Sequence, residues 1–178
     1  MDDIRHNIME DIGQSYAKFG HSQLLGRVVG LLLCEDEPLS IDQICESLEV
    51  TKTPVNQICK RLEELKLIKR VWVKGDRKHH YQIVPDVFLQ AANNQMTLYE
   101  ENLKMIAKHL HLLLDRYSTS KNENKEHLRI ICKRFINMHE FHEQLIKSYN
   151  EFIAMWEEER KHLPQIDEYI EKIETLNN

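Results

Sequence analysis

Residues 40–81 read SIDQICESLEVTKTPVNQICKRLEELKLIKRVWVKGDRKHHY, and the spacing of the apolar side chains changes within them. Ile41, Ile44, Cys45 and Leu48 fall on one side of a short helix that Ser40 caps. Glu49-Val50 reads as a tight turn, and Thr51 caps a second helix. Pro54 is tolerated there because first-turn amides have no partner within the helix. Val55, Ile58, Cys59, Leu62 and Leu65 continue the buried face. Two short helices joined by a three- or four-residue turn form a helix-turn-helix. After Leu67 the period drops to two: Ile68, Arg70, Trp72 and Lys74 alternate with Lys69, Val71 and Val73. Gly75-Asp76 supplies a turn, and His79, Tyr81 and Ile83 alternate on the return, as in a β-hairpin. A helix-turn-helix followed at once by a hairpin with basic residues at its tip is a winged helix.

Upstream, Ile4, Ile8, Ile12, Tyr16 and Phe19 predict an amphipathic helix over residues 3–19, stopped by Gly20. Ser22 caps a helix to about Cys34 whose second half is apolar all round, which implies deep burial. Gly26 and Gly30, four apart, leave one smooth stripe for the close approach of another backbone. Downstream, Leu89, Ala92, Met96, Tyr99, Leu103, Ile106, Leu110, Leu113 and Tyr117 keep a 3-4 rhythm. After a polar break at residues 118–125, Leu128, Ile131, Phe135, Met138, His142, Leu145, Tyr149, Phe152 and Trp156 repeat it. Pro164 interrupts, and Ile166, Ile170 and Ile173 mark a short last helix. Sustained heptads mean helix pairing. A 30-residue helix is ~45 Å long, too long to bury its seam on a small winged helix, so a partner subunit is expected. An intramolecular hairpin of the two helices is the alternative, and both arrangements are compatible.

The expected fold is therefore mainly α: a winged helix-turn-helix with one β-hairpin wing, plus long C-terminal helices forming a dimerisation region. The expected division is residues 1–20 as a helix supporting packing or the dimer, 21–84 as the DNA-binding domain, and 85–178 as a helical dimerisation and effector-response region.

Charge is distributed unevenly. The net charge is −5, yet residues 50–84 carry nine Lys/Arg against three Asp/Glu. Residues 1–49 carry three against ten, and residues 85–178 twelve against sixteen. A local basic patch in an acidic chain is the footprint of a polyanion site. Major-groove readout needs hydrogen-bonding groups on the exposed early turns of the second helix. Lys52, Thr53, Asn56, Gln57 and Lys60 occupy that face. Asn56 and Gln57 suit adenine; Lys52 and Lys60 suit phosphate or guanine. The wing offers Lys74, Arg77 and Lys78 to the backbone or the minor groove. Asp76 would repel phosphate if it pointed outward, so it is expected to orient Arg77 or cap the turn. His79 and His80 add charge below neutral pH. The partner implied is double-stranded operator DNA.

The stretch from Gly26 to Gln82 resembles the GbsR-type branch of the MarR-like winged-helix regulators. The resemblance rests on Gly26-Arg27 with Gly30, Pro38–Ser40, Leu65–Val73 and Gly75-Asp76-Arg77, and it covers about residues 13–83. It implies a homodimer that binds operator DNA as a repressor, usually of osmoprotectant-related genes and sometimes with a small quaternary-amine inducer. Asp76 and Arg77 match the wing Asp-Arg of that branch. Thr53-Pro54-Val55 departs from its usual small, Ser/Gly/Asn-rich start of the recognition helix, which bears on the operator sequence.

Other signals weigh less. Aromatics make up 7 % of the chain, too few for a rich single-strand stacking surface. Tyr16, Phe19, Phe88 and Tyr99 are candidate aromatic faces for a cationic amine effector, the competing reading being ordinary core packing. Cys34, Cys45, Cys59 and Cys132 form no CxxC and read as small buried hydrophobes of a reducing cytosol. A metal site would need His139 or His142 joined by ligands such as Glu143 or Cys132, and neither a metal nor another cofactor is expected. No phosphate loop, nucleophile elbow or zinc-protease motif points to an enzyme. With no apolar leader and no ~20-residue apolar run, a cytoplasmic location and no membrane contact are expected. Two rival functions are a winged-helix adaptor that docks an acidic protein and a metal-responsive sensor.

Overall fold

The computed structural model describes residues 2–176. Helices α1 (Asp2–Lys18) and α2 (Gln23–Leu33) precede a short strand β1 (Leu39–Ser40). Then come α3 (Ile41–Leu48), α4 (Lys52–Glu64), β2 (Ile68–Val71) and β3 (His80–Ile83). Two long helices follow, α5 (Val87–Thr119) and α6 (Asn122–Glu159), with a 3-10 turn at Arg160–His162 and a last helix α7 (Ile166–Leu176). This is the mainly helical winged helix-turn-helix that the sequence predicts. The chain divides into two compact units, one up to Ala91 and one from Ala92 onward.

The first unit has a single core. Val28, Leu31, Ile44, Val55, Cys59 and Leu62 have no solvent exposure. They come from α2, α3 and α4, whose predicted apolar faces converge there. Val87 is also part of this core, so the unit continues past the expected boundary at residue 84. Helix α1 lies directly on α2 where small residues meet. A Cβ at Gly26 would stand 2.8 Å from both Gly13 Cα and the Ile12 carbonyl oxygen, so only glycine permits this approach. Arg27 secures the contact by pairing with Glu10 at 2.6 Å, and Arg5 pairs with Glu35.

The sheet has the order β1-β3-β2 and is antiparallel throughout. Leu39 sits opposite Tyr81 and Ser40 opposite His80, while Ile68 faces Ile83 and Val71 faces His80. The alternation read over residues 68–74 overshoots the strand, which ends at Val71. Beyond it the chain leaves the ladder to build the wing tip, and Trp72 is 77 % exposed. Strand β1 was not foreseen: two residues are too few to set up a period.

In the second unit α5 and α6 run antiparallel. Tyr99 meets Tyr149 edge-on with ring centroids 5.6 Å apart, and Lys125 Nζ lies 5.3 Å from the Tyr117 ring. The tyrosine pair joins the two predicted seams inside one chain, which is the hairpin alternative. His142, which interrupts the second seam, bonds through Nδ1 to the Met138 carbonyl oxygen of its own helix at 2.8 Å. The polar break proves narrower than residues 118–125, because α5 continues to Thr119 and α6 resumes at Asn122.

Candidate nucleic-acid interface

The turn between α3 and α4 sets the angle at which α4 is presented. Ser40 ends β1 and caps α3: the Gln43 amide donates to Ser40 Oγ at 3.3 Å, and the Ser40 amide donates to Gln43 Oε1 at 2.8 Å. This reciprocal capping box fixes the start of α3 to the root of the sheet. Helix α3 ends at Glu49, which adopts the left-handed region at φ 55°. The Val50 amide then closes the turn on the Cys45 carbonyl at 3.0 Å. Thr51 stands at the start of α4 as predicted, although its side chain makes no capping bond.

Helix α4 has two unlike sides. Val55, Cys59 and Leu62 are buried, while Lys52, Thr53, Asn56, Gln57 and Lys60 are all exposed. Burial pushes the Cys59 thiol up to about 12, so it remains protonated packing material. All four cysteines are free. Asn56 Nδ2 donates to the Lys52 carbonyl oxygen of its own helix at 2.9 Å. To read a base edge, Asn56 must give up that exposed local bond.

The wing tip turns at Gly75, whose φ of 88° favours glycine. The Asp76 amide donates to the Val73 carbonyl at 3.1 Å. Asp76 does not project as a bare charge. Its Oδ1 accepts from the Lys78 amide at 2.9 Å, and its Oδ2 lies 3.5 Å from Nε2 of the buried His80. Of the two roles expected for Asp76, it plays that of turn cap. His80 accordingly belongs to the interior of the hairpin, whereas His79 is exposed. Lys74, Arg77 and Lys78 are exposed around the tip. Trp72 shares a shallow cleft with Arg70, Arg77, Lys78 and His79. Its place in the alternating strand marked it as hairpin without marking it as exposed.

The wing and α4 are linked through Asp42, a residue that the sequence reading left unassigned. Asp42 Oδ1 is 2.5 Å from Lys52 Nζ, and Oδ2 is 2.8 Å from Lys78 Nζ. The hydrogen bonds from Lys52 and Lys78 hold its carboxyl down at about 2, and Lys78 is raised in return by Asp42. An acidic residue in the first turn of a helix is ordinary; that this one faces two other elements is a tertiary fact. Elsewhere the negative charges of the segment are occupied: Glu63 pairs with Arg70 at 2.9 Å, and Glu64 approaches Arg61 at 3.5 Å. Arg70 also lies 5.9 Å from the Tyr81 ring centre, and its hydrogen bond to Tyr81 raises its pKa. Among the described residues, Lys60, Lys74 and Arg77 make no ion pair. The arrangement leaves a cationic face rich in donors along α4 and the wing tip.

A family profile described as "Winged helix-turn-helix DNA-binding" matches residues 31–69. With the hairpin that follows it, the matched segment has the winged helix-turn-helix fold. The match runs from the end of α2 into β2. A crystal structure of a transcriptional regulator superposes with a TM-score of 0.58 at 20 % identity, covering 83 % of this chain and 98 % of that one. This extends the likeness in fold to most of the chain. In sequence, the chain is 25 % identical over 91 residues to the HTH-type transcriptional repressor OpcR of Bacillus subtilis (strain 168), covering 49 % of each. It is 24 % identical over 88 residues to the HTH-type transcriptional repressor GbsR of the same organism, covering 49 % of this chain and 48 % of that one. The chain thus spans about half the length of the curated relatives it matches. The resemblance read from Gly26 to Gln82 is met by these distant homologues, and the winged helix here is of the kind that DNA-binding transcriptional regulators carry.

The candidate effector aromatics differ in their local surroundings. Phe19 is 80 % and Phe88 75 % exposed, so neither is a core residue. Tyr16 is half-buried with its ring 5.8 Å from that of His21, and Tyr99 is taken up by Tyr149. His139 gathers Glu143 at 3.7 Å and Glu140 at 3.9 Å along α6, and among the described residues Cys132 does not join them. No helix of the described residues is long and apolar enough to cross a membrane.

Proposed function

We propose that this protein is a sequence-specific, double-stranded DNA-binding transcriptional repressor that acts as a homodimer and responds to a small molecule. The observation that carries the reading is the two-sided α4. Its inner face is locked into the core by Val55, Cys59 and Leu62, while five hydrogen-bonding or cationic side chains stand on its outer face beside a basic wing. That disposition suits insertion into a major groove, with Asn56 and Gln57 at base edges and Lys52, Thr53 and Lys60 at phosphates or bases. Lys74, Arg77 and Lys78 then reach the flanking backbone or minor groove.

Dimerisation is supported by apolar surface on the long helices. Leu98, Met105 and Leu112 recur every seven residues along α5 and are 47 %, 44 % and 56 % exposed. Ile130, Phe141 and Phe152 recur every eleven along α6 and are also exposed. Both intervals keep to one helix face. A second copy of the chain is the occupant that would present the same stripe in return. The effector is a cationic amine by resemblance, with Tyr16, Phe19, Phe88 and Tyr99 as candidate contacts.

Fluorescence anisotropy against promoter-region duplexes at physiological salt tests the function. The expected result is binding about 10³-fold or more tighter than to a scrambled duplex, weakening steeply as salt rises. Replacement Arg77→Glu should weaken binding to every duplex, whereas changes at Asn56 or Gln57 should alter which sequence is preferred. Binding indifferent to sequence would overturn the reading. An Arg77→Glu variant with unchanged affinity would remove the wing from it.

A further inference from the structure

We infer that Asp42 is a built-in competitor for the DNA phosphate backbone, occupying Lys52 and Lys78 in the free protein and so weakening the hold of the interface on any duplex. The inference rests on the DNA-binding reading above and deepens it. The two lysines come from different elements, the first residue of α4 and the wing. Each meets a different oxygen of the same carboxylate, at 2.5 and 2.8 Å. A phosphodiester offers the same motif, two anionic oxygens on one atom, so the carboxylate holds both ammonium groups in a spacing that a phosphate can take over. The exchange is open to solvent: the side chains of Lys52, Lys78 and Asp42 are 67 %, 59 % and 39 % exposed.

The competition has a direction. Lys60, Lys74 and Arg77 make no ion pair among the described residues, so they meet phosphate without giving anything up. Lys52 and Lys78 must first share or leave Asp42, and the carboxylate that stays behind repels the incoming strand. Asp76 does not act in this way, because its oxygens are held by the Lys78 amide and His80. Asp42 therefore subtracts about one phosphate contact from the interface. Phosphate contacts carry no sequence information, so the loss falls on operator and scrambled duplexes alike.

The test is the Asp42→Asn variant, which keeps the size of the side chain and removes its charge. Affinity for operator and scrambled duplexes should rise by a common factor, about fivefold at 0.15 M salt. The slope of log K against log salt concentration should steepen by about 0.9, the value of one added phosphate contact. In the Asp42→Asn background, Lys52→Ala with Lys78→Ala should abolish the gain. Thermal midpoints of the variants serve as the check on folding. A folded Asp42→Asn variant with unchanged or weaker affinity, or an unchanged salt slope, overturns the inference while leaving DNA binding in place. An unaltered protein that binds no duplex at all overturns the functional reading, and this inference with it.

Discussion

The two compact units bury their apolar residues to very different degrees. In the first, Val28, Leu31, Ile44, Val55, Cys59 and Leu62 are sealed from solvent, drawn from three helices that share one centre. In the second, Ile106 is sealed and Met96 and Cys132 nearly so, but Leu112, Phe141, Ile166 and Ile170 are each half-exposed or more. The same residue classes at helical spacing give a closed core in one unit and an open seam in the other. A winged helix brings its faces together from several directions. Two long antiparallel helices can satisfy only one line of contact between them, and their other apolar positions need a further surface. The difference teaches that helical periodicity marks an apolar face without saying whether that face is covered within the chain.

Removing the second unit should have the largest effect. A chain ending at Ala91 keeps Val87, which a cut at residue 84 would lose from the core. The shorter chain is expected to run as a folded monomer by size-exclusion chromatography with light scattering, and the full chain as a dimer. A dimeric shorter chain would move the interface to α1 and the winged helix. Next comes a matched pair of single substitutions. Ile44→Ala should cost about 2–5 kcal/mol in chemical denaturation, because it opens a cavity in a closed core. Leu112→Ala should change the stability of an isolated subunit by no more than about 0.5 kcal/mol while loosening the dimer. Equal losses at both positions would erase the contrast. The smallest effect concerns acid. Asp42 is depressed from its ordinary 3.8 to about 2. Its pairing therefore contributes stability that is present above the unfolded value and lost as pH falls through about 2. Between pH 5 and about pH 3 the Asp42 carboxyl should stay ionised, its NMR resonance moving only as the pH approaches about 2. A midpoint near the ordinary 3.8 would show the contact to be weaker than the geometry implies.

Much of the first unit was legible in the sequence because its signals are local. Ser40 as a helix cap, the shift from a helical to an alternating period after Leu67, and glycine at residue 75 each report on their own neighbourhood. The donors of α4 were legible for the same reason: once Val55, Cys59 and Leu62 face inward, Asn56, Gln57 and Lys60 must face out. What escaped depends on pairs distant in the chain. Asp42 meets Lys78 across 36 residues, and β1 exists only because Tyr81 and His80 come back to it. The depth of His80 was missed because alternation assigns a side without saying how thickly that side is covered. In the second unit the rhythm of the heptads was legible, although Met138 and Phe152 of the predicted seam lie exposed, and spacing alone could not say how much of each seam a hairpin or a partner covers.

The strand order β1-β3-β2 also bears on solubility. A protein that holds out a hairpin risks offering a template for stray strands. Here the central strand β3 is paired on both sides, which leaves only β1, two residues long, and the outer edge of the four-residue β2. Lys69 and Arg70 occupy half of that outer strand and are exposed. An edge so short and so charged gives a second hairpin little to stack upon, even where the protein is crowded.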